Sequence, residues 1–186
     1  MTDAPPEAIR LDGATVRREA VADAPRIARV IDENLPRLSF WMDWATPEVA
    51  NTAAQVARID SAHAKWTARE AFDYLIVDIE DEVLGKIGFP RRIGADALEL
   101  GYWLTQGAEG RGLITQAARA LTRAGLQVDG IERIEIHCDE ANTKSSAVPH
   151  RLGYRLDRIV DFPVTTEGQT GRQMIWVDPA EHTPPS

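Results

Sequence analysis

The sequence has little of several features that would mark particular classes of protein. It holds one cysteine, Cys138, in 186 residues, so no disulfide can form within the chain, and a reducing cytoplasm is the expected location. No run of eighteen apolar residues is present, so we expect no membrane-spanning helix. The four histidines are scattered and do not follow the spacing of a metal site, so we expect no bound metal.

Basic residues are also in the minority. The chain has 21 Lys and Arg against 29 Asp and Glu, which gives a net charge of −8. This balance argues against a protein that binds nucleic acid through a broadly basic surface, and we expect neither a nucleic-acid nor a membrane partner. Hydrophobic residues make up 44% of the chain, enough for the core of one domain of ordinary size. We place that domain at residues 9–177, between proline-rich tails at 1–8 and 178–186 that we expect to be flexible.

The hydrophobic pattern alternates between strand and helix periods along the domain. One helix is expected after Asp23, and another from Thr46 and Pro47, which read as an N-cap and a first helical residue, to about Arg69. Further helices are predicted at 112–128 and 142–152, and strands at 14–20, 72–79, 83–89, 97–105, 133–138, 154–160 and 172–177. This order predicts a layered α/β domain with a mixed sheet.

A glycine-bearing turn is the most informative local feature. The apolar strand that ends at Leu104 runs into a turn with glycines at 107, 110 and 112, and the turn opens directly into a helix. Such a turn leaves backbone N–H groups free at the positive end of a helix, where they can bind a phosphate or diphosphate. Its spacing is neither that of a P-loop nor Gly-x-Gly-x-x-Gly. From the spacing alone, an ordinary strand-to-helix turn is an equal alternative.

Two further stretches carry possible site residues. Asn142 is placed to cap a helix, Ser145 follows one turn later, and Gly153 is typical of a helix end, although the same pattern describes any capped amphipathic helix. Nearer the N-terminus, a loop contains Phe40, Trp41, Asp43 and Trp44. Rings at this density are more than a connecting loop needs, and they often cover the core.

Together these stretches resemble the GNAT acyltransferase superfamily, and more narrowly its ribosomal-protein N-acetyltransferases of the RimJ/RimL type. The resemblance runs from about Ile9 to Val177. It is carried by Asn34-Leu35 with Trp41-Met42-Asp43-Trp44, by Gly101-Tyr102-Trp103-Leu104 with Gly110-Arg111-Gly112, and by Asn142, Ser145 and Arg151-Leu152-Gly153-Tyr154. It implies a single-domain α/β (α+β) fold, with a mixed, mostly antiparallel central sheet flanked by helices on both faces. It also implies acetyl-CoA as cosubstrate and direct transfer of the acyl group to a primary amine.

The resemblance also implies roles for individual residues. The diphosphate of coenzyme A would lie on the turn, and the pantetheine would pair with the strand before it; the implied coenzyme contacts are Trp103, Leu104, Gly107, Gly110, Arg111, Gly112, Leu113, Asn142 and Ser145. Ser145 would also hydrogen-bond or protonate the leaving thiolate. The aromatic loop would lie over the groove for the amine, where Phe40, Trp41 and Trp44 would shape a pocket and Asp43 would contact a cationic amine.

The sequence departs from the family pattern at two places. Gly107 stands where Gln or Arg is usual, which removes an accessory contact. Val164 stands near the usual acidic base, with Asp161 and Glu167 as imperfect substitutes, so the base is left open. Glu99 is a candidate base acting through water, or else a solvated strand acid. Two neighbouring side chains of the next strand carry other expectations: His137 could relay a proton or simply pack in its strand, and Cys138 is expected to be an inert core thiol.

Three functions are therefore considered. The first is acetylation of a protein N-terminal α-amine, a ribosomal protein by analogy. The second is transfer of an acetyl or other acyl group to a small amine such as an antibiotic, an amino acid or a polyamine. The third is a non-catalytic acyl-CoA-binding module, for which Val164 is the main support. A homodimer is left open.

Overall fold

The computed structural model of the protein describes residues 2–178, so nearly all of the predicted C-terminal tail at 178–186 lies outside the described residues. The helices are α1 (Ala24–Glu33), α2 (Leu35–Ser39), α3 (Thr52–Thr67), α4 (Leu113–Gly125) and α5 (Thr143–Leu152). The strands are β1 (Ala8–Leu11), β2 (Ala14–Arg18), β3 (Ala71–Val77), β4 (Val83–Pro90), β5 (Ala97–Glu99), β6 (Gly101–Leu104), β7 (Arg133–Asp139), β8 (Arg155–Asp161) and β9 (Arg172–Val177).

The strands form two sheets that share one layer of the fold. The first has the order β1-β2-β3-β4-β6 and is antiparallel throughout. The second has the order β5-β7-β9-β8, in which only the β5–β7 pair is parallel. The prediction of a mixed, mostly antiparallel sheet within an α/β fold is confirmed.

Strand β3 shows why helices cover both faces of the sheet. Phe72, Tyr74 and Ile76 belong to one buried cluster, together with residues of α4. Leu75 and Val77 belong to a second cluster, together with residues of α1 and α3. Because successive side chains of a strand point to opposite faces, a strand that is apolar at both sets of positions needs cover on both sides.

The predicted strand 97–105 is divided in two at Leu100. Glu99 pairs with Glu135 of β7, whereas Gly101 pairs with Gly88 of β4. The Leu100 amide still donates to the carbonyl of Glu135 at 2.7 Å, after which the chain leaves β7. The two sheets diverge beyond this point, because one strand cannot follow both partners, and the gap between β6 and β7 is open.

The second long helix begins later than predicted. Thr46 and Pro47 start turns, and α3 begins at Thr52 behind Asn51. The Asn51 side-chain oxygen accepts from the amide of Ala54 at 2.9 Å, the usual N-cap bond. Thr46 and Asn51 are both suitable N-cap residues, five positions apart, and the helix begins after the second of them. The aromatic segment at 33–44, predicted as a loop, contains the short helix α2 ahead of Phe40, so the loop prediction is wrong over Leu35–Ser39.

The start of the chain is tied to the domain, although the sequence predicts a flexible tail at 1–8. Thr2 donates to the carbonyl of Gln127 at 2.8 Å and accepts from the amide of Asp129 at 2.9 Å. The carbonyl of Pro6 accepts from the Tyr74 hydroxyl at 3.0 Å. The unpredicted strand β1 begins at Ala8. The proline-rich composition of residues 1–8 gives no sign of these backbone contacts, because their partners lie far along the chain. The domain bounds of 9–177 stay a prediction.

Candidate active site

Two clefts open where the sheets diverge. The strand cleft, of about 920 Å³, is lined by residues of α3, β4, β6, β7 and the aromatic segment, together with Glu99. The helix cleft, of about 1400 Å³, is lined by β6, the glycine turn and one face each of α4 and α5. The residues that line both clefts are Trp41, Met42, Tyr102, Trp103, Asn142 and Ser145. A molecule in one cleft can therefore reach a molecule in the other at this junction.

The glycine turn forms one end of the helix cleft. Gly110 and Gly112 both have a φ of +74°, which glycine adopts without strain. Within residues 2–178 no hydrogen bond joins the amides of residues 110–115 to an acceptor. The turn is exposed, and a Cβ atom at Gly112 would meet no atom within 4 Å. Gly110, Gly112 and Leu113 line the cleft, whereas Gly107 and Arg111 lie in the same turn without lining it.

Strand β6 presents an open edge to the clefts. Its ladder runs to β4 on one side, with Trp103 opposite Lys86, and the described chain holds no strand on its other side. Arg37 of α2 donates to the carbonyl of Leu104 and, at 2.6 Å, to a carboxylate oxygen of Glu109. The edge therefore has free backbone groups at Gly101–Trp103, while the Leu104 carbonyl is already held.

Helix α5 begins at the junction of the clefts. The Asn142 side-chain oxygen accepts from the Ser145 amide at 3.1 Å and caps the helix. The Tyr102 hydroxyl donates to the carbonyl of Ser145 at 3.0 Å and lies 3.5 Å from its Oγ. Burial raises the pKa of Tyr102, so the phenol keeps its proton at neutral pH. The sequence includes Tyr102 in the motif that carries the resemblance but predicts no role for it, although its place beside Trp103 on the strand could have indicated one.

The aromatic segment supplies a wall of the strand cleft. Trp41, Asp43 and Trp44 line it, and the Trp44 ring lies 6.2 Å from that of Trp103. Phe40 lines neither cleft. Its ring packs edge-on against Trp41 at 5.1 Å, so it supports the wall from behind.

A buried charge network lies on the opposite wall. Glu99 is 5% exposed and accepts from Arg92 at 2.7 and 2.5 Å, so the alternative of a solvated strand acid is wrong. His137 Nε2 lies 2.6 Å from Glu135 Oε2, and His137 Nδ1 lies 3.8 Å from Glu99 Oε2. Burial alone would raise the pKa of Glu135, yet Arg133 and His137 hold it below the ordinary value, so Glu135 is a carboxylate. Glu99 and His137 line the strand cleft.

The remaining candidates for the base lie elsewhere. Asp161, Val164 and Glu167 are exposed and line neither cleft. Cys138 does line the strand cleft, but burial raises the pKa of its thiol to about 11, so it is not a thiolate at neutral pH.

A further buried carboxylate that the sequence did not indicate, Glu19, contacts two residues that line the strand cleft. Glu19 accepts from Arg58 at 2.6 Å at each of its two oxygens, and Lys86 Nζ lies 3.1 Å from it. Burial acts to raise the pKa of Glu19, but Lys86 and Arg58 outweigh it and lower the pKa. Arg58 and Lys86 line the cleft. The partners are 39 and 67 positions apart from Glu19, which no local pattern reveals.

The described part of the chain lacks two features that other functions would need. Residues 2–178 contain no group of three or more His, Cys, Asp or Glu side chains arranged to hold a metal ion. No helix in the same part of the chain is both long and apolar enough to cross a bilayer.

The geometry indicates a class of protein that brings two ligands together: the free amides of the turn and the open strand edge suit an anionic carrier, and the adjoining cleft has room for a second substrate. Residues 15–155 match the acetyltransferase (GNAT) domain family. The chain belongs to this family of acetyltransferases. Family membership confirms the predicted enzyme class, and with it acetyl-CoA as the cosubstrate.

Individual relatives agree with this assignment. YdaF of Bacillus subtilis, provisionally named a ribosomal N-acetyltransferase, is 32% identical over 145 residues, which cover 75% of this chain and 76% of that protein. The ribosomal-protein-S5-alanine acetyltransferase of Vibrio fischeri superposes with a TM-score of 0.85 at 19% identity, over 96% of this chain and 99% of the other. The microcin C7 self-immunity acetyltransferase MccE, solved with acetyl-CoA and AMP, superposes with a TM-score of 0.83 at 23% identity, over 95% and 98%.

Proposed function

We propose that the protein transfers the acetyl group of acetyl-CoA to the N-terminal α-amine of a protein, a ribosomal protein by analogy with YdaF. The observation that carries this proposal is the junction of the two clefts, where Trp103 and Ser145 face both of them. An amine can enter through the strand cleft while the thioester lies in the helix cleft. Holding two reactants in contact is itself a large part of catalysis for a bimolecular transfer.

The chain's own groups fit the coenzyme. The free amides at Gly110, Gly112 and Leu113 would hold its diphosphate at the positive end of α4. Gly107 and Arg111 lie in the same turn but do not line the cleft, so they would fix the shape of the turn rather than contact the coenzyme. The open edge at Trp103 would pair with the pantetheine amides, and Asn142 would lie beside them.

The chemistry at the junction needs no covalent enzyme intermediate, because a neutral amine attacks a thioester directly. A backbone amide of the open β6 edge would stabilise the oxyanion. The Ser145 hydroxyl would donate a proton or hydrogen bond to the departing thiolate, with Tyr102, which stays protonated, held against Ser145.

The network on the strand wall supplies the base. Glu135 is a carboxylate and can accept from the Nε2–H of His137, and in the neutral tautomer that makes this bond the lone pair of the ring lies on Nδ1. We assign the removal of the amine proton to Nδ1, directly or through water. The positive charge that His137 gains then lies between Glu135 and Glu99. Glu99 thus acts through His137, while Arg92 neutralises its charge in the resting state.

The acceptor is tested with purified protein, acetyl-CoA and a mixed panel of N-terminal peptides, lysine peptides and small amines, read by mass spectrometry. We expect the added acetyl mass on the α-amine of peptides, and release of free thiol in step with it. Acetylation of small amines alone would replace the proposal by the second candidate. The likeness to MccE, which was solved with the small molecule AMP beside acetyl-CoA, favours that candidate.

If the protein binds acetyl-CoA but releases no thiol with any amine, the third candidate function, a non-catalytic acyl-CoA-binding module, would replace the proposal. Val164 no longer supports that reading, because it is exposed and lines neither cleft. A cytoplasmic location, the lack of nucleic-acid binding and a homodimer stay predictions.

A further inference from the structure

The lining of the helix cleft is cationic, in contrast to the chain as a whole. The chain carries a net charge of −8, yet six cationic residues and two acids line this cleft: Arg10, Arg37, Arg119, Arg123, Lys144 and Arg151, with Asp12 and Glu109. Glu109 is bound by both Arg37 at 2.6 Å and Lys144 at 2.7 Å, so its charge is neutralised locally. The excess of positive charge therefore falls on the remaining arginines.

Three of those arginines belong to the two helices. Arg119 and Arg123 of α4 and Arg151 of α5 are exposed. Within residues 2–178 none of the three makes an ion pair or a hydrogen bond through its side chain. Surface arginines elsewhere in the chain mostly pair with acids, as Arg29 does with Glu82. Three unpaired guanidinium groups along one cleft favour a bound anion, since like charges gathered together repel one another unless an anion lies between them.

Helix geometry places these arginines at a defined distance from the diphosphate seat. Two cross-links show that α4 and α5 run side by side in the same direction: Lys144 to Glu109 near their starts, and the Thr122 hydroxyl to that of Tyr154 at 2.6 Å near their ends. Arg119 stands seven residues after Gly112, and Arg151 seven residues after Lys144. Seven residues are two helical turns, about 10 Å along the axis, so both guanidinium groups lie on the cleft face beyond the turn.

Coenzyme A carries a third phosphate, on the 3′-oxygen of its ribose, one sugar away from the diphosphate. We propose that Arg119 and Arg151, flanked by Arg123, bind this 3′-phosphate and make the enzyme selective for coenzyme A over carriers that lack it. Arginine suits the task because its planar fork binds phosphate through two parallel hydrogen bonds. The subsite belongs to the proposed coenzyme cleft and rests on the proposed function.

The test compares coenzyme A with 3′-dephospho-coenzyme A by calorimetry, at one ionic strength because exposed charges are screened by salt. We expect the wild type to bind coenzyme A about tenfold more tightly than the dephospho form. The double variant Arg119→Gln/Arg151→Gln should lose that preference: its Kd for coenzyme A rises about tenfold, while its Kd for the dephospho form changes less than about twofold.

A matched control removes two positive charges away from the cleft. Arg29→Gln/Arg155→Gln changes arginines of α1 and β8 that line neither cleft, and it should keep the wild-type preference. Equal wild-type affinities for the two ligands would overturn the subsite and leave the proposed function standing. A double variant that weakens both ligands equally would also overturn it, because the arginines would then act on the diphosphate. Wild-type protein that binds neither ligand would refute the proposed function and the subsite together.

Discussion

At the scale of single residues, the two proton transfers of the proposed reaction fall to different side chains on opposite sides of the junction. Ser145 stands on α5, where the thiolate would leave, and His137 stands on β7, where the amine would enter. A base matters more for an acceptor that holds its proton more tightly. A lysine amine has an ordinary pKa of about 10.4, against about 7.7–8.0 for an α-amine.

His137→Gln and Ser145→Ala are therefore expected to respond differently to the acceptor. His137→Gln should lower kcat about a hundredfold, and more for a lysine peptide than for an α-amine peptide. Ser145→Ala should lower kcat by the same factor for both acceptors, because the leaving thiolate is the same. The measurement is steady-state thiol release with both peptides.

The control for this pair is the Kd of coenzyme A, which both variants should leave unchanged. If His137→Gln lowers kcat by the same factor with both acceptors, His137 only packs in its strand and is not the base. Ser145→Ala at the wild-type rate would remove Ser145 from the mechanism.

At the scale of elements, the seat of the coenzyme depends on the turn that ends β6 and begins α4. Gly112 is the N-cap of α4 in the left-handed region, so its amide and those that follow point outward without a partner in residues 2–178. Asn34 supports the turn from below, since its side-chain oxygen accepts from the Gln106 amide at 2.9 Å. The seat is thus held by backbone geometry rather than by long side chains.

Gly112→Asp should abolish binding of coenzyme A. The substitution places a carboxylate at the seat of the diphosphate and a side chain at a φ of +74°, which costs about 1 kcal/mol for a non-glycine residue. Calorimetry should show no heat of binding, while circular dichroism shows the wild-type fold. Gly130→Asp is the control, because Gly130 has a φ of +78° but lines neither cleft. If Gly112→Asp binds coenzyme A with unchanged affinity, the diphosphate does not bind at this turn.

The elements also show how far the sequence reaches. Helices α4 and α5 and the hairpin of β3 and β4 follow from periodicity and capping residues, because the signals are local. The division at Leu100 does not, since both halves are apolar and only the distant partners β4 and β7 distinguish them. The site divides in the same way: the turn and Ser145 carry local signals, whereas the contacts of Tyr102 and His137 depend on chain segments brought together by folding.

At the scale of the whole molecule, buried carboxylates join the outer layers to the sheet. Asp23, 1% exposed before α1, accepts from both terminal nitrogens of Arg17 on β2 at 2.8 Å and from the Ala20 amide at 2.8 Å. Glu19 joins α3 to β4 through Arg58 and Lys86. Each pair links elements that are distant along the chain, so loss of its charge affects the assembled fold.

Stability should therefore fall in acid, with a sign set by Asp23. Burial would raise the pKa of Asp23, but Arg17 and the Ala20 amide outweigh it and lower the pKa from 3.8 to about 2. A carboxyl whose pKa is lowered by folding stabilises the fold fully above the unfolded value, and that stability is lost as the pH falls from about 4 to about 2. The shift corresponds to about 2 kcal/mol.

Urea unfolding between pH 7 and pH 2 measures this loss of stability. In Asp23→Asn the free energy of unfolding should be lower at pH 7 and should decline less steeply below pH 4, whereas Asp60→Asn, at an exposed position of α3, should follow the wild type. Parallel curves for wild type and Asp23→Asn would show that Asp23 does not set the acid limit, and that the Glu19 pairs, whose carboxyl pKa is also lowered, are the groups to test next.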